Sequence, residues 1–182
     1  NSKNREKLFM GFGISSFQQV PKWIRQFHQQ VPECEVVINH LPSSVQMKML
    51  LEGRLHIGFV RAPVSKGLVS YILYEETLAL AMPANSDIHN MNIQSALSAY
   101  PLLQLDPSTS PCLAEQTAYF LQSNQLKAVT VSATDDMTSL LALIAGGNGV
   151  AFLPASVRTF LPANVNLLMP MEKQIRWDIG VV

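Results

Sequence analysis

The sequence predicts an α/β protein built as two successive lobes. Three observations carry that expectation. Short apolar runs bounded by turn residues alternate with stretches of helical spacing, this alternation occurs twice, and a long β-rich segment, Leu68 to Met82, lies between the two sets.

In the first set, Leu8 to Gly13 (LFMGFG) reads as a short buried strand. Ser15 and Ser16 can cap the helix that follows. Val20, Trp23, Ile24, Phe27 and Val31 then recur at helical spacing until Pro32. Pro21 falls near the helix start, where a missing N–H is tolerated. Cys34 to Leu41 is β-branched and strand-like. Ser43 or Ser44 caps a second helix that stops at Gly53, and Leu55 to Val60 makes a third strand. The order β-α-β-α-β implies a parallel sheet with right-handed crossovers.

Leu68 to Met82 is too long for one ordinary strand. It is expected to be two strands meeting near Glu75–Thr77, where the chain passes from one lobe to the next. The second set is expected to hold strands at Pro101 to Leu105, Ala128 to Ser132, Gly149 to Leu153 and Val165 to Met169. Between them come helices from about Leu113 to Ser123 and Asp135 to Ala145, and a short one opened by Pro154. Gln174 to Val182 alternates and is expected to cross back to the first lobe. The lack of a polar tail after Val182 suggests a chain that stops short of the native terminus.

Composition narrows the function. With 48% hydrophobic and only 14% charged residues, much surface is expected to be buried, a subunit interface included. Lys+Arg 13 against Asp+Glu 13 gives no net charge, which argues against this piece gripping nucleic acid. No apolar run approaches a membrane span, and Asn1 to Lys7 does not read as a signal peptide. Cys34 and Cys112 fit a reducing compartment, in no C-x-x-C. His28, His40, His56 and His89 are scattered without metal-ligand spacing, so no metal and no cofactor is expected.

The glycine motifs give little chemistry. Gly11, Gly13 and Ser16 are spaced like a dinucleotide fingerprint, but the third glycine is a serine. The next strand ends Ile38-Asn39-His40, without an acid for a ribose hydroxyl. The glycines are therefore read as allowing close strand–helix packing. Gly146-Gly147-Asn148-Gly149 lacks the Gly-Lys-Ser/Thr of a phosphate loop and reads as a helix stop. No Gly-x-Ser-x-Gly or nucleophile–base set is present, and Asp135–Asp136 suits a helix N-terminus. Nothing points to an enzyme.

The informative stretch is Ser43 to Pro63, SSVQMKMLLEGRLHIGFVRAP. A polar helix start is followed by a strand that delivers Arg61 to its carboxyl end. Open α/β sheets bind ligands there, and an arginine can hold a carboxylate through two parallel hydrogen bonds. The stretch reads as part of a sensor for a small carboxylate. The plainer reading of Arg61, a surface ion pair, stands beside it.

LEGRLHIGFVRAP, ETLALAMPANSDI and LIAGGNGVAFLPAS, in this order, resemble the effector-binding domain of LysR-type transcriptional regulators. The resemblance runs from Lys7 to Val182. Through Gly58 to Arg61 it is especially similar to the subgroup that senses aromatic acids and their ring-cleavage products, such as benzoate and muconate. It implies two Rossmann-like lobes of periplasmic-binding-protein type with a ligand cleft between them: residues 1–76 with 174–182, and residues 77–173. Effector contacts implied are Ser15 or Ser16, Ser43 with Ser44 beside it, Arg61, and Pro111, Cys112 and Leu113. The subgroup's threonine is Ser43 here, which keeps the hydroxyl, and its second-lobe aromatic is Leu113.

The resemblance further implies a cytoplasmic homodimer through this domain, using Val20, Trp23, Ile24 and Phe27, and a tetramer at full length. DNA would be bound only through an N-terminal winged helix-turn-helix that is absent from this chain, and Asn1 to Glu6 reads as the end of a linker. No membrane partner is implied. On fold alone, an exported receptor for a small organic anion remains the alternative.

Overall fold

Two β-α-β crossovers open the chain. The structure, a computed structural model, describes residues 6–84, 92–170 and 176–182. Gln174, where the returning strand was expected to begin, and Asn1–Arg5 of the expected linker lie outside the described residues, as does part of the ETLALAMPANSDI segment.

Strand β1 (Lys7–Phe12) leads through a single 3-10 turn (Ile14–Ser16) into helix α1 (Gln19–Gln30). Strand β2 (Glu35–His40), helix α2 (Ser43–Leu51) and strand β3 (Ile57–Arg61) follow. β1 pairs in parallel with both β2 and β3, with Gly11 opposite Gly58 and Phe12 opposite Phe59. β9 (Arg176–Val181) closes the far side of β3 as an antiparallel neighbour. The chain divides into two units, residues 1–76 with 177–182 and residues 77–176.

β4 (Tyr71–Pro83) is one 13-residue strand, where two were expected. Its pairing explains the length. The first half lies next to β9, and the second half is held on both sides, by β7 (Ala151–Pro154) and β8 (Val165–Leu168). The strand runs unbroken through Glu75–Thr77. In the second unit, β5 (Leu102–Leu105) pairs in parallel with β6 (Thr130–Thr134), and a bridge from Leu102 to Val150 joins that pair to the start of β7. Helices α4 (Pro111–Ser123) and α5 (Met137–Ala145) are the expected pair, α4 starting two residues before Leu113. Helix α3 (Ile93–Ala99) was not expected; it is only 7 residues long, and its start is fixed by Asn92, whose side chain accepts the Ser95 N–H.

Each unit has its own core. In the first, Met10, Phe12, Val20 and Phe59 are buried together, with Leu8, Trp23, Ile24, Val36 and Ile57 packed against them. Trp23 stacks on Phe59, ring centroids 5.5 Å apart. In the second, Leu78, Leu80, Leu102, Phe120, Leu140, Ile144 and Leu153 are fully buried. The apolar stripe of α1 is thus largely consumed by its own sheet. Val20 is fully enclosed and offers no surface to a partner, which corrects its expected place at a dimer interface; Trp23, Ile24 and Phe27 stay half-buried.

Candidate functional site

In the first unit, four of the five expected effector contacts keep some solvent exposure at the carboxyl ends of β1, β2 and β3. Ser15 and Ser16 form the turn after β1, not side-chain caps of α1, which begins three residues later. Ser16 is 1% exposed, and its hydroxyl lies 3.0 Å from the Tyr74 hydroxyl. Tyr74 donates its own proton to the Ser15 carbonyl at 2.6 Å, so the Ser16 hydroxyl is the donor between them. Ser16 is therefore engaged inside its own unit, whereas Ser15 is half-buried. Burial of Tyr74 raises its pKa, with the charge of Glu76 adding to the rise and the Ser16 bond opposing it.

Ser43 and Ser44 occupy the first turn of α2. Pro42 is the residue before the helix, and no side chain caps it, so the expected capping role is corrected. The Ser43 hydroxyl instead accepts the backbone N–H of Arg61 at 3.0 Å, tying the helix start to the end of β3. Arg61 is half-buried and Ser44 likewise.

Gln46, one turn into α2, was not singled out from the sequence, nor was Tyr74. Gln46 is fully buried; its Oε1 accepts the Phe59 N–H at 3.0 Å and its Nε2 donates to the Leu41 carbonyl at 2.8 Å. The readable signal was the pair of glycines at 11 and 58. A Cβ on Gly11 would come within 2.8 Å of Gln46 Cγ, and one on Gly58 within 3.1 Å of its Oε1. The two residues facing each other across β1 and β3 must lack side chains for this amide to fit.

At the rim, Phe12, Phe17 and His40 form a three-ring cluster with centroids 5.2–5.6 Å apart. His40 stays exposed overall, but partial desolvation of its ring lowers its pKa, because the charged imidazolium loses some of its water.

In the second unit, Pro111, Cys112 and Leu113 are the first three residues of α4, all half-buried, with no side-chain cap at Ser110. The preceding turn is held by Asp106, which accepts the Ser108 N–H at 2.9 Å and the Ser108 hydroxyl at 2.8 Å. These bonds favour the carboxylate and lower its pKa. Leu113, Thr117 and Gln104 line a small recess floored by Leu105, Leu140 and Phe152, with room for about one water molecule. Among the described residues, no group of three or more His, Cys, Asp and Glu could hold a metal ion, and no helix is long and apolar enough to cross a membrane.

A polar edge on a parallel sheet, set in an α/β chain of two units, fits the two-lobe fold of periplasmic-binding-protein type. The profile of the LysR substrate binding domain matches residues 2–182, and the chain belongs to that family. The probable cat1 operon transcriptional activator of Acinetobacter lwoffii is 31% identical over 159 residues, 85% of this chain and 52% of that protein. The transcriptional regulator TfdT of Cupriavidus pinatubonensis is 31% identical over 108 residues, 58% of this chain and 47% of that protein. The chain thus spans about half the length of the curated relatives it matches. A solved structure described as the BenM effector binding domain with its effector benzoate superposes with a TM-score of 0.78 at 20% identity, over 97% of this chain and 82% of that one. This last likeness speaks for the fold alone. Membership of the family favours a regulator's domain over the exported receptor.

Proposed function

We propose that this chain senses a small carboxylate for a LysR-type transcriptional regulator, with Arg61 and Ser43 as the carboxylate receptor. The observation that carries the reading is the bond from the Arg61 N–H to the Ser43 hydroxyl. It places the Ser43 hydroxyl against the backbone of Arg61, at the carboxyl edge of a parallel sheet, where a hydroxyl and an arginine side chain can serve one carboxylate. The start of α4, Pro111 to Leu113, is the second lobe's candidate contact. An aromatic acid is the favoured class, because BenM of Acinetobacter baylyi, a curated relative 23% identical over 163 residues, has a solved structure that names benzoate as its effector.

In the whole regulator, effector binding would alter control of transcription in the cytoplasm through a DNA-binding part. Two copies of this domain would pair through the outer face of α1, with Phe27 in the contact. Sedimentation of the chain at tens of micromolar tests that pairing; a monomer there contradicts it. The carboxylate reading is tested by calorimetric titration with benzoate, cis,cis-muconate and benzamide. The acids are expected to bind and the amide to bind at least tenfold more weakly, about 1.4 kcal/mol. Equal affinity for benzoate and benzamide contradicts the reading.

A further inference from the structure

The buried amide of Gln46 sits where two strands and a helix start meet, and its bonds to Leu41 and Phe59 lead to residues beside the candidate receptor. Leu41, whose carbonyl accepts from Nε2, is two residues before Ser43. Phe59, whose N–H donates to Oε1, is two residues before Arg61. Gln46 and Ser43 are three residues apart on α2 and so lie on one face of it. Phe59 and Arg61 are two apart on β3, so their N–H groups point the same way. β1 ends at Phe12, opposite Phe59. The two N–H groups of β3 are taken by the side chains of Gln46 and Ser43, so helix α2 supplies in side-chain oxygens what a neighbouring strand would supply in carbonyls.

We propose that Gln46 is a positioning residue for effector binding, acting through Ser43 and Arg61; the proposal rests on the carboxylate reading above. The amide sets the distance between the helix start and the strand end, and the Ser43–Arg61 bond forms at that distance. Gly11 and Gly58 belong to the same device, since either Cβ would intrude on the amide. A hydrogen-bonded amide suits this task because its two ends have opposite polarity. Oε1 can only accept and Nε2 can only donate, so one orientation satisfies both partners. Being enclosed, it meets no competing water.

The test uses the chain with benzoate as the probe. Calorimetry is run on the wild type, Gln46→Met, Arg61→Ala and the double variant, and amide hydrogen exchange is followed at Phe59 and Arg61. Methionine keeps the volume and loses both bonds. Gln46→Met is expected to bind benzoate about tenfold more weakly. The double variant is expected to lose less than the sum of the two single losses, because the amide acts in part through Arg61. Exchange is expected to quicken at Arg61 as well as at Phe59. Unchanged affinity, full additivity in the double variant, or quickened exchange at Phe59 alone overturns the proposal, since a merely structural amide would lower the melting temperature without these signatures. Should Gln46→Met fail to fold, Gln46→Glu keeps the acceptor for Phe59 and loses the donor to Leu41. It is expected to weaken benzoate and quicken exchange at Arg61, and no change in either overturns the proposal. If the wild type does not bind benzoate, the carboxylate reading fails by itself. Arg61 exchange in Gln46→Met then still decides: quickened exchange keeps the positioning role, and unchanged exchange removes it.

Discussion

Helices α2 and α5 both begin just beyond the carboxyl end of a parallel strand, yet they treat their first turns differently. At α5, Asp136 caps its own helix, accepting the N–H groups of Thr138 at 3.3 Å and Ser139 at 3.0 Å. At α2, no side chain caps the helix, and the serine placed to do so reaches across to Arg61 instead. A capped start satisfies its own amides and is complete by itself. At α2 the first-turn hydroxyl instead ties down a neighbouring strand end. On the function proposed above, the α5 start serves stability and the α2 start serves recognition.

The largest effect should come from filling the slot under α2. Gly58→Ala places a Cβ 2.9 Å from Leu50 Cδ1 and 3.1 Å from Gln46 Oε1. The leucine tip can swing away, but the amide is held at both ends. Overpacking of this kind costs about 1–3 kcal/mol, to be read by chemical denaturation. A neutral Gly58→Ala would mean that the slot is loose and the tie to Arg61 weak.

The next effect separates the two helix starts. Ser43→Ala should weaken a carboxylate effector severalfold, on the scale of about 1 kcal/mol for one hydrogen bond, with a smaller change in melting temperature. Asp136→Ala should do the reverse, lowering the melting temperature and leaving effector affinity unchanged. Paired calorimetry and thermal melts on the two variants check this. Equal loss of affinity in both would erase the distinction.

The smallest effect is in pH. His40 is exposed overall but partly desolvated, which lowers its pKa, so its native-state preference is for the neutral ring. Its contribution to stability is complete above its ordinary value of 6.5 and declines as pH falls below that. Asp136 is the opposite kind of group. The Ser139 hydroxyl, the Ser139 N–H and the Thr138 N–H hold its carboxylate below the ordinary 3.8, so its contribution is present above 3.8 and is lost as pH falls through the lower native value. Melts from pH 7 downward should show a first small decline that His40→Gln removes and a later one, shared with Asp106, that Asp136→Ala reduces. A decline below pH 6.5 unaltered in His40→Gln would detach the ring cluster from it.

Much of this was legible in the sequence. The strand–helix alternation of residues 8–60 was readable because each element has a single period and ends at a glycine, proline or serine. Arg61 was legible as the last residue of an apolar strand. Ser43 was found for a capping reason that the structure replaces. Gln46 was missed because a glutamine within a helical pattern reads as a surface residue, and its burial depends on glycines from two other strands. Tyr74 was missed because an aromatic in a β-rich run reads as sheet, while its role comes from a hydroxyl reaching back 59 residues to Ser15. Long-range pairing of this kind leaves no local period. The same holds for β4, which was expected to be two strands because of its length; its second half is paired on both sides and it runs as one.

The measurement that bears most directly on the central claim is calorimetric titration of benzoate into the wild type, Arg61→Lys and Arg61→Ala, with circular dichroism confirming the fold of each. Lysine keeps the charge but lacks the planar fork, and alanine lacks both. The account predicts that both variants fold and lose about tenfold to a hundredfold in affinity, roughly 1.5–3 kcal/mol for one charge-assisted bond. Unchanged affinity in both would contradict it, making Arg61 a surface residue and moving the carboxylate site elsewhere.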